Sequence, residues 1–103
     1  MVIDYTDLKE IINSQVVDLL DHAFMIYNED EYLEMFIKLD KEGQKIVFVN
    51  FIPTAENIAK WIFEILNTAF NKKHITLEKV IVYETPTSSA IYTADDFFND
   101  DNA

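Results

Sequence analysis

Pro53-Thr54-Ala55-Glu56-Asn57-Ile58-Ala59 marks the start of the longest amphipathic segment in the chain. Pro53 precedes this predicted helix, and the Thr54 hydroxyl can accept a hydrogen bond from an unpaired N–H of the first turn. Glu56 lies in that turn, where the helix dipole favours a negative charge. Apolar residues then recur at helical spacing, at Ile58, Trp61, Ile62, Ile65, Leu66 and Ala69. The polar run Asn71-Lys72-Lys73-His74 is predicted to end this helix.

The segment that follows predicts a β-hairpin. Leu77 to Tyr83 is rich in β-branched residues, and Ala90 to Thr93 is predicted to return as a second strand. Pro86 cannot donate to a strand ladder, so it fits the turn between them. Asp95 to Ala103 is strongly acidic and is predicted to be a frayed C-terminal tail, although Phe97 and Phe98 offer side chains that can dock.

The segment that precedes predicts another long helix, from about Asp7 to Leu20, with Thr6 as its N-cap. Its apolar stripe consists of Leu8, Ile11, Ile12, Val16, Leu19 and Leu20. Ala23 to Tyr27 is an apolar run too short to classify by periodicity. The sequence therefore leaves the structure of that run open.

The middle of the chain predicts a short helix and a strand. Asn28-Glu29-Asp30 offers a cap for a helix that contains Tyr32, Leu33, Phe36 and Ile37. Gly43 is the one glycine of the sequence and marks a turn, and Ile46 to Val49 reads as a buried strand. The order of elements predicts an α+β fold in which helices cover one face of an antiparallel sheet.

Composition limits the classes of partner. The 103 residues are half hydrophobic, which suffices for one small core, and carry a net charge of −11. Such a charge disfavours binding to nucleic acid or to an anionic membrane surface. The absence of cysteine excludes disulfides, a thiolate nucleophile and cysteine metal ligands. No apolar stretch is long enough for a transmembrane helix, and the first residues lack a basic signal-peptide start, so we expect a cytoplasmic protein.

Two polar clusters at the ends of predicted elements are candidates for chemistry. Asp21 and His22 close the first helix, and a carboxylate beside an imidazole suits proton transfer, although a histidine near the last helical carbonyls is also favourable for stability alone. Glu84 ends a strand, where a carboxylate can accept two parallel hydrogen bonds from a ligand with adjacent N–H donors. The alternative for Glu84 is an exposed charge with no ligand.

Two further residues have weaker cases. Glu56 can act as a second ligand carboxylate or serve only the helix dipole, and Thr54 can contact a ligand or act only as a cap. His74 lies among lysines in a predicted loop. The two histidines of the chain do not form a recognisable zinc pattern, so no metal ligand is predicted.

In this order the motifs resemble the 6-pyruvoyl-tetrahydropterin synthase and 6-carboxy-tetrahydropterin synthase family. The resemblance rests on four segments and covers nearly all of the chain before the acidic tail. They are the residues from Met1 to Lys9, Leu19-Leu20-Asp21-His22, residues 53–59, and Glu78-Lys79-Val80-Ile81-Val82-Tyr83-Glu84-Thr85-Pro86-Thr87-Ser88. The stretch from Phe24 to Phe51 is similar to a subgroup with longer connections.

The resemblance implies a tunnelling fold, with two long helices on one face of an antiparallel sheet and assembly into trimers or hexamers. It implies 7,8-dihydroneopterin triphosphate as substrate and 6-carboxy-tetrahydropterin, acetaldehyde and triphosphate as products, in a queuosine-type pathway. By position, Asp21 and His22 match the family's proton-transfer pair and Glu84 matches its pterin anchor. Thr54 and Glu56 match a motif near the pterin pocket.

The family's N-terminal hairpin, with its zinc-binding histidines and catalytic cysteine, has no counterpart here. The resemblance therefore predicts a partial tunnelling-fold domain over residues 1–94, a tail over 95–103, no zinc on this chain alone, and little or no turnover. A misassigned start, a natural truncation and a deliberately shortened chain are equally open. The alternative function is a non-catalytic protein that binds pterins or only forms homo-oligomers.

Overall fold

The computed structural model describes residues 5–101 of the chain. In chain order the elements are α1 (Tyr5–Ile12), a π-helical segment (Asn13–Val17), α2 (Asp18–Leu20), β1 (Phe24–Tyr27), α3 (Leu33–Lys41), β2 (Ile46–Val49), α4 (Ala55–Asn71), β3 (Lys79–Thr85), β4 (Ser88–Thr93) and α5 (Ala94–Asp101). This is the predicted α+β class. The first four residues of the Met1-to-Lys9 segment and the last two of the predicted tail lie outside the described residues.

Four strands form two separate two-stranded sheets. Strands β3 and β4 make the predicted antiparallel hairpin, in which Ile81 faces Ile91. Strands β1 and β2 pair in parallel, with Phe24 opposite Ile46. The run from Ala23 to Tyr27, which the sequence left open, thus contains a strand that pairs with Ile46–Val49. Helix α3 lies between the two strands and supplies the crossover that a parallel pair requires.

Helix α4 packs along one buried face and holds the two halves of the molecule together. In its second half, Leu66 and Phe70 pack against Val16 of the π-helical segment, with the stripe of α1 around them. Further toward its start, Ala59 and Phe63 pack against Tyr92 of β4. The prediction placed both long helices on one face of the sheet; α4 covers both strands, whereas α1 packs chiefly on α4.

The predicted limits of α4 are confirmed. The Thr54 hydroxyl accepts a hydrogen bond from the Asn57 N–H at 3.2 Å, which makes Thr54 the N-cap. At the other end, the Ile75 N–H bonds to Phe70 O at 3.0 Å and the His74 N–H bonds to Asn71 O at 3.1 Å. This pair of bonds is a Schellman motif, and it places His74 in the left-handed region, at φ 59°.

Helix α3 ends in the same motif, with the glycine of the chain at the equivalent position. The Gln44 N–H bonds to Leu39 O, and the Gly43 N–H bonds to Asp40 O, each at 3.1 Å. Gly43 has φ 102°, a conformation that costs glycine little. The turn predicted at Gly43 is therefore confirmed, and His74 occupies a position where glycine is the usual residue.

The predicted cap of the first helix is wrong. Thr6 lies within the helical residues of α1, so it does not act as the N-cap. The helix then passes through the π-helical segment, where the Asp18 N–H bonds to Asn13 O. Most of the apolar stripe persists through this irregularity, since Val16 is buried and Leu8, Ile11, Ile12 and Leu20 pack against its cluster. Leu19, also predicted for the stripe, is instead exposed, because the π-helical segment shifts the residues that follow it around the helix.

The predicted frayed tail is instead helix α5 through Asp101. Thr93 and Asp96 cap it reciprocally: the Thr93 N–H donates to Asp96 Oδ2 at 3.0 Å, and the Asp96 N–H donates to Thr93 Oγ1 at 3.1 Å. The Phe97 ring lies 5.6 Å from that of Phe63. A cap and one partly buried aromatic side chain therefore order a segment whose acidic composition suggested disorder. Within residues 5–101, no helix is long and apolar enough to cross a membrane.

We expect Phe63→Ala to destabilise the protein strongly, because the Phe63 side chain is 1% exposed and joins α4 to the hairpin and α5. The cost should be about 3–5 kcal/mol in the free energy of unfolding, measured by urea denaturation. Phe98→Ala is the matched control, since Phe98 is 62% exposed, and it should cost less than about 1 kcal/mol. Similar losses in the two variants would contradict the assigned core.

A second prediction concerns Tyr27, whose hydroxyl donates a hydrogen bond to Glu29 Oε2. That bond, with smaller contributions from burial and the Glu29 charge, raises the pKa of Tyr27 above 10.0. The raised pKa favours the protonated folded state, so the contribution to stability is present below pH 10.0 and is lost as the pH rises through the raised value. Glu29→Gln should lower the pKa of Tyr27, followed by NMR of labelled tyrosine rings. Glu31→Gln should leave it unchanged, and an unchanged Tyr27 in Glu29→Gln would refute this assignment.

Candidate functional site

The Asp21–His22 pair lies in a tight turn after α2. The Ala23 N–H bonds to Leu20 O at 3.0 Å, with Asp21 at φ −60°, ψ 122° and His22 at φ 56°. These values are typical of a type II turn, whose third residue needs a positive φ and is usually glycine. His22 therefore occupies a backbone position that disfavours it by roughly 1 kcal/mol.

The two side chains of the pair lie near each other at the surface. Asp21 Oδ1 is 3.7 Å from His22 Nε2, and the side chains are 64% and 92% exposed. The separation exceeds a hydrogen bond, so the pair contributes little to stability. An exposed imidazole beside a carboxylate remains able to exchange a proton with a molecule bound over the turn.

Glu84 lies at a β-bulge, and Pro86 explains why. The hairpin loop is Pro86–Thr87, and the ring of proline fixes a negative φ there. The favoured two-residue hairpin turns need a positive φ at the first loop position, so this loop does not match the strand twist. The register shifts between Tyr83 and Thr85, which leaves Glu84 as the extra residue of β3. Bulges redirect side chains and increase strand twist. The proline in the loop therefore determines, through the bulge, the orientation of the Glu84 carboxylate.

The Glu84 carboxylate has acceptor capacity to spare. Ser88 Oγ donates to Glu84 Oε2 at 3.5 Å, a long bond, and no other hydrogen bond within residues 5–101 uses this carboxylate. Tyr83 beside it is 66% exposed. The arrangement suits a planar ligand that presents two adjacent N–H donors to the carboxylate.

Thr54 and Glu56 lie at the start of α4. The Thr54 hydroxyl is engaged in the N-cap, and the Asn57 side-chain amide donates to Ile52 O at 2.9 Å, so this end of the helix is fixed. Glu56 is exposed in the first turn. The N-cap explains the position of Thr54 without a ligand. For Glu56, a contact with a ligand and a favourable interaction with the helix dipole both stay predictions.

The three candidate groups lie on separate elements around α4. Thr76 and Leu77 lie beside the second half of α4, so β3 runs from there back toward the helix start and carries Glu84 with it. The Asp21–His22 turn follows the first helix, whose residue Val16 packs against Leu66 and Phe70 of α4. Within the described residues, no hydrogen bond or ion pair joins the pair, Glu84 and Glu56 to one another.

A cleft of about 220 Å³ lies between the end of β2 and α4. Its walls are Asn50, Phe51, Asn57, Lys60, Trp61 and Glu64. The rings of Phe51 and Trp61 are 6.0 Å apart, so Trp61, predicted as a member of the core stripe, also forms a wall of this cleft. None of the predicted site residues lines it. Spacing along α4 was the available signal, because Asn57, Lys60 and Glu64 share one helix face.

The described residues do not fit the zinc ion that the resemblance implies. No group of three or more His, Cys, Asp or Glu side chains in the described part of the chain is arranged to hold a metal. His22 and His74 end different helices. No step of the chemistry below is therefore assigned to a metal.

A sequence model of the family described as 6-pyruvoyl tetrahydropterin synthase matches residues 1–95. The chain belongs to this family. The resemblance drawn from the four segments is thus confirmed, and the match extends across Asp21, His22, Thr54, Glu56 and Glu84.

Proteins named 6-carboxy-5,6,7,8-tetrahydropterin synthase are among the relatives. That of Haemophilus influenzae is 38% identical over 94 residues, which cover 89% of this chain and 64% of the relative. The protein of Aquifex aeolicus is 32% identical over 98 residues, which cover 89% of this chain and 60% of the relative. The protein of Rickettsia felis is 31% identical over 87 residues, which cover 84% of this chain and 62% of the relative. The chain thus spans less than two thirds of the length of these relatives.

One solved structure confirms the fold class. An uncharacterized protein from Wolinella succinogenes superposes with a TM-score of 0.71 and 24% identity, over 91% of this chain and 68% of that one. This likeness supports the predicted fold and carries no information on substrate.

The two left-handed histidines make a matched test of backbone strain. His74→Gly should raise the free energy of unfolding by up to about 1 kcal/mol, because glycine is the usual residue of the Schellman motif. His22→Gly should also stabilise, since the type II turn favours glycine there. Urea denaturation measures both changes, and a loss of stability in both variants would refute the strain assigned to these turns.

Proposed function

We propose that this chain binds the pterin ring of 7,8-dihydroneopterin triphosphate in a site of the 6-carboxy-tetrahydropterin synthase type. The observation that supports the proposal most is the Glu84 carboxylate, which a bulge turns out of the ladder with a single long hydrogen bond to Ser88. The match of the chain to relatives named 6-carboxy-5,6,7,8-tetrahydropterin synthase favours this branch of the family.

Glu84 is proposed to select the ligand. The amide and amino edge of a pterin offers two adjacent N–H donors, and one carboxylate accepts both in parallel. Hydrogen bonds to a charged group contribute about 1.5–3 kcal/mol each when water is excluded. Glu84 is exposed in the single chain, so a neighbouring subunit that covers Tyr83 and Glu84 would strengthen both bonds.

Asp21 and His22 are proposed to transfer a proton at the ligand side chain. The carboxylate lies 3.7 Å from the imidazole, and a ligand bound over the turn would be within reach of both groups. The complete reaction releases acetaldehyde and triphosphate and needs further catalytic groups. The sequence contains no cysteine, and residues 5–101 contain no metal-binding set, so we propose that this chain alone gives little or no turnover.

A second candidate is a non-catalytic protein that assembles with other tunnelling-fold subunits. Its support is the apolar outer face of the hairpin, where Ile81 is 38% and Ile91 56% exposed, beside strand edges that no element covers in the described chain. Exposed edges and apolar faces recruit partner strands. The proposal includes a homo-oligomer and a cytoplasmic location under either candidate.

Calorimetric titration with neopterin tests the pterin site. We expect the wild type to bind and Glu84→Gln to lose measurable binding, because the amide replaces one acceptor oxygen with a donor that repels a ligand N–H. Glu56→Gln is the matched control: it makes the same change on an exposed carboxylate and should weaken binding less. Equal binding by the wild type and Glu84→Gln would refute the anchor. No binding by the wild type would favour the second candidate.

A further inference from the structure

Lys45, just before β2, reaches back along the chain to the end of the first helix. Its Nζ donates a hydrogen bond of 2.7 Å to the carbonyl oxygen of Asp21, and it also donates to the carbonyl oxygen of Asp18. The Lys45 carbonyl oxygen in turn accepts the Phe24 N–H at 2.9 Å. The turn that carries His22 is therefore held on both sides by one residue.

We propose that Lys45 is the positioning residue of the Asp21–His22 pair. The last carbonyls of a helix lack intrahelical partners, and an ammonium group satisfies them and complements the negative end of the helix dipole. Lys45 acts on backbone atoms and does not touch the reacting groups. Its effect on chemistry passes through the geometry of the turn, which sets the 3.7 Å separation between the Asp21 and His22 side chains.

The turn needs such an anchor for two reasons. A positive φ is unfavourable at His22, so without a restraint the turn tends to relax to other conformations. The helix before it is also interrupted by the π-helical segment, and α2 is only three residues long. Lys45 lies on the surface, so water competes for its bonds, and the expected effect is local instead of a loss of the fold.

The proposal gives Lys45 a role only if Asp21 and His22 act as in the proposed function, but the geometry can be tested independently. In Lys45→Met, amide hydrogen exchange of Asp21 and Ala23 should accelerate by about tenfold, as expected for the loss of bonds to a charged donor. The Asn28 amide, bonded to Val49 O at 2.7 Å, should keep its rate. Equal acceleration of all three amides would indicate general destabilisation and overturn the proposal.

Histidine NMR provides the second readout. The chain has two histidines, so the ring resonance of His22 should move in Lys45→Met while that of His74 stays as an internal reference. Lys45→Arg keeps a cationic donor. In this variant the His22 resonance and the slow amide hydrogen exchange of Asp21 and Ala23 should both match those of the wild type. Lys41→Met, at the exposed end of α3, is the matched control and should change neither. An unmoved His22 resonance in Lys45→Met would refute the positioning role.

Neopterin separates this proposal from the proposed function. With a pterin bound to the wild type, the His22 ring should report the ligand, and that response should be lost in Lys45→Met and retained in Lys45→Arg. A wild type whose spectrum neopterin leaves unchanged would refute the pterin site, while the exchange and ring measurements on the free protein would still decide whether Lys45 holds the turn.

Discussion

The structure depends on the burial of one continuous face of α4. Along that face, Ala59 and Phe63 pack against the hairpin, whereas Leu66 and Phe70, further along the helix, pack against the first helix. Neither the hairpin nor the first helix has another large partner among the described elements. A hairpin alone is marginal in water, so its strands and the bulge at Glu84 persist because α4 covers them.

Much of this architecture follows from local chemistry in the sequence. The Thr54 cap, the end of α4 and the hairpin around Pro86 are each fixed by residues within one turn of the feature. The parallel β1–β2 pair was not predicted, because the Ala23–Tyr27 run is too short for periodicity and its partner lies beyond a helix. Helix α5 was missed for a related reason: composition favoured a tail, whereas the order depends on a contact between Phe97 and Phe63. The Thr93-x-x-Asp96 spacing was the available local signal.

In the candidate site, too, the sequence predicts the residues but not their geometry. Residue type and spacing predict Asp21, His22 and Glu84 as candidates for chemistry, and the family match covers these positions. Their backbone settings, a left-handed turn and a bulge, depend on hydrogen bonds and strand register that no residue pattern displays. Lys45 is a clear case, since its acceptors are separated from it by 24 and 27 residues. The walls of the cleft beside Trp61 likewise come from two separate elements.

The sequence separation between Lys45 and its acceptors also affects the order in which parts of the chain fold. Contacts between residues distant in sequence form after local ones, because a longer loop must close first. The turn at His22 is complete only when β1, α3 and β2 have come together, although the helix before it can form early against α4. Partial opening of the 24–49 segment would release the turn while leaving Phe63 buried. Loss of the turn geometry is thus separable from global unfolding, because parts of a fold with few buried contacts can open without the rest.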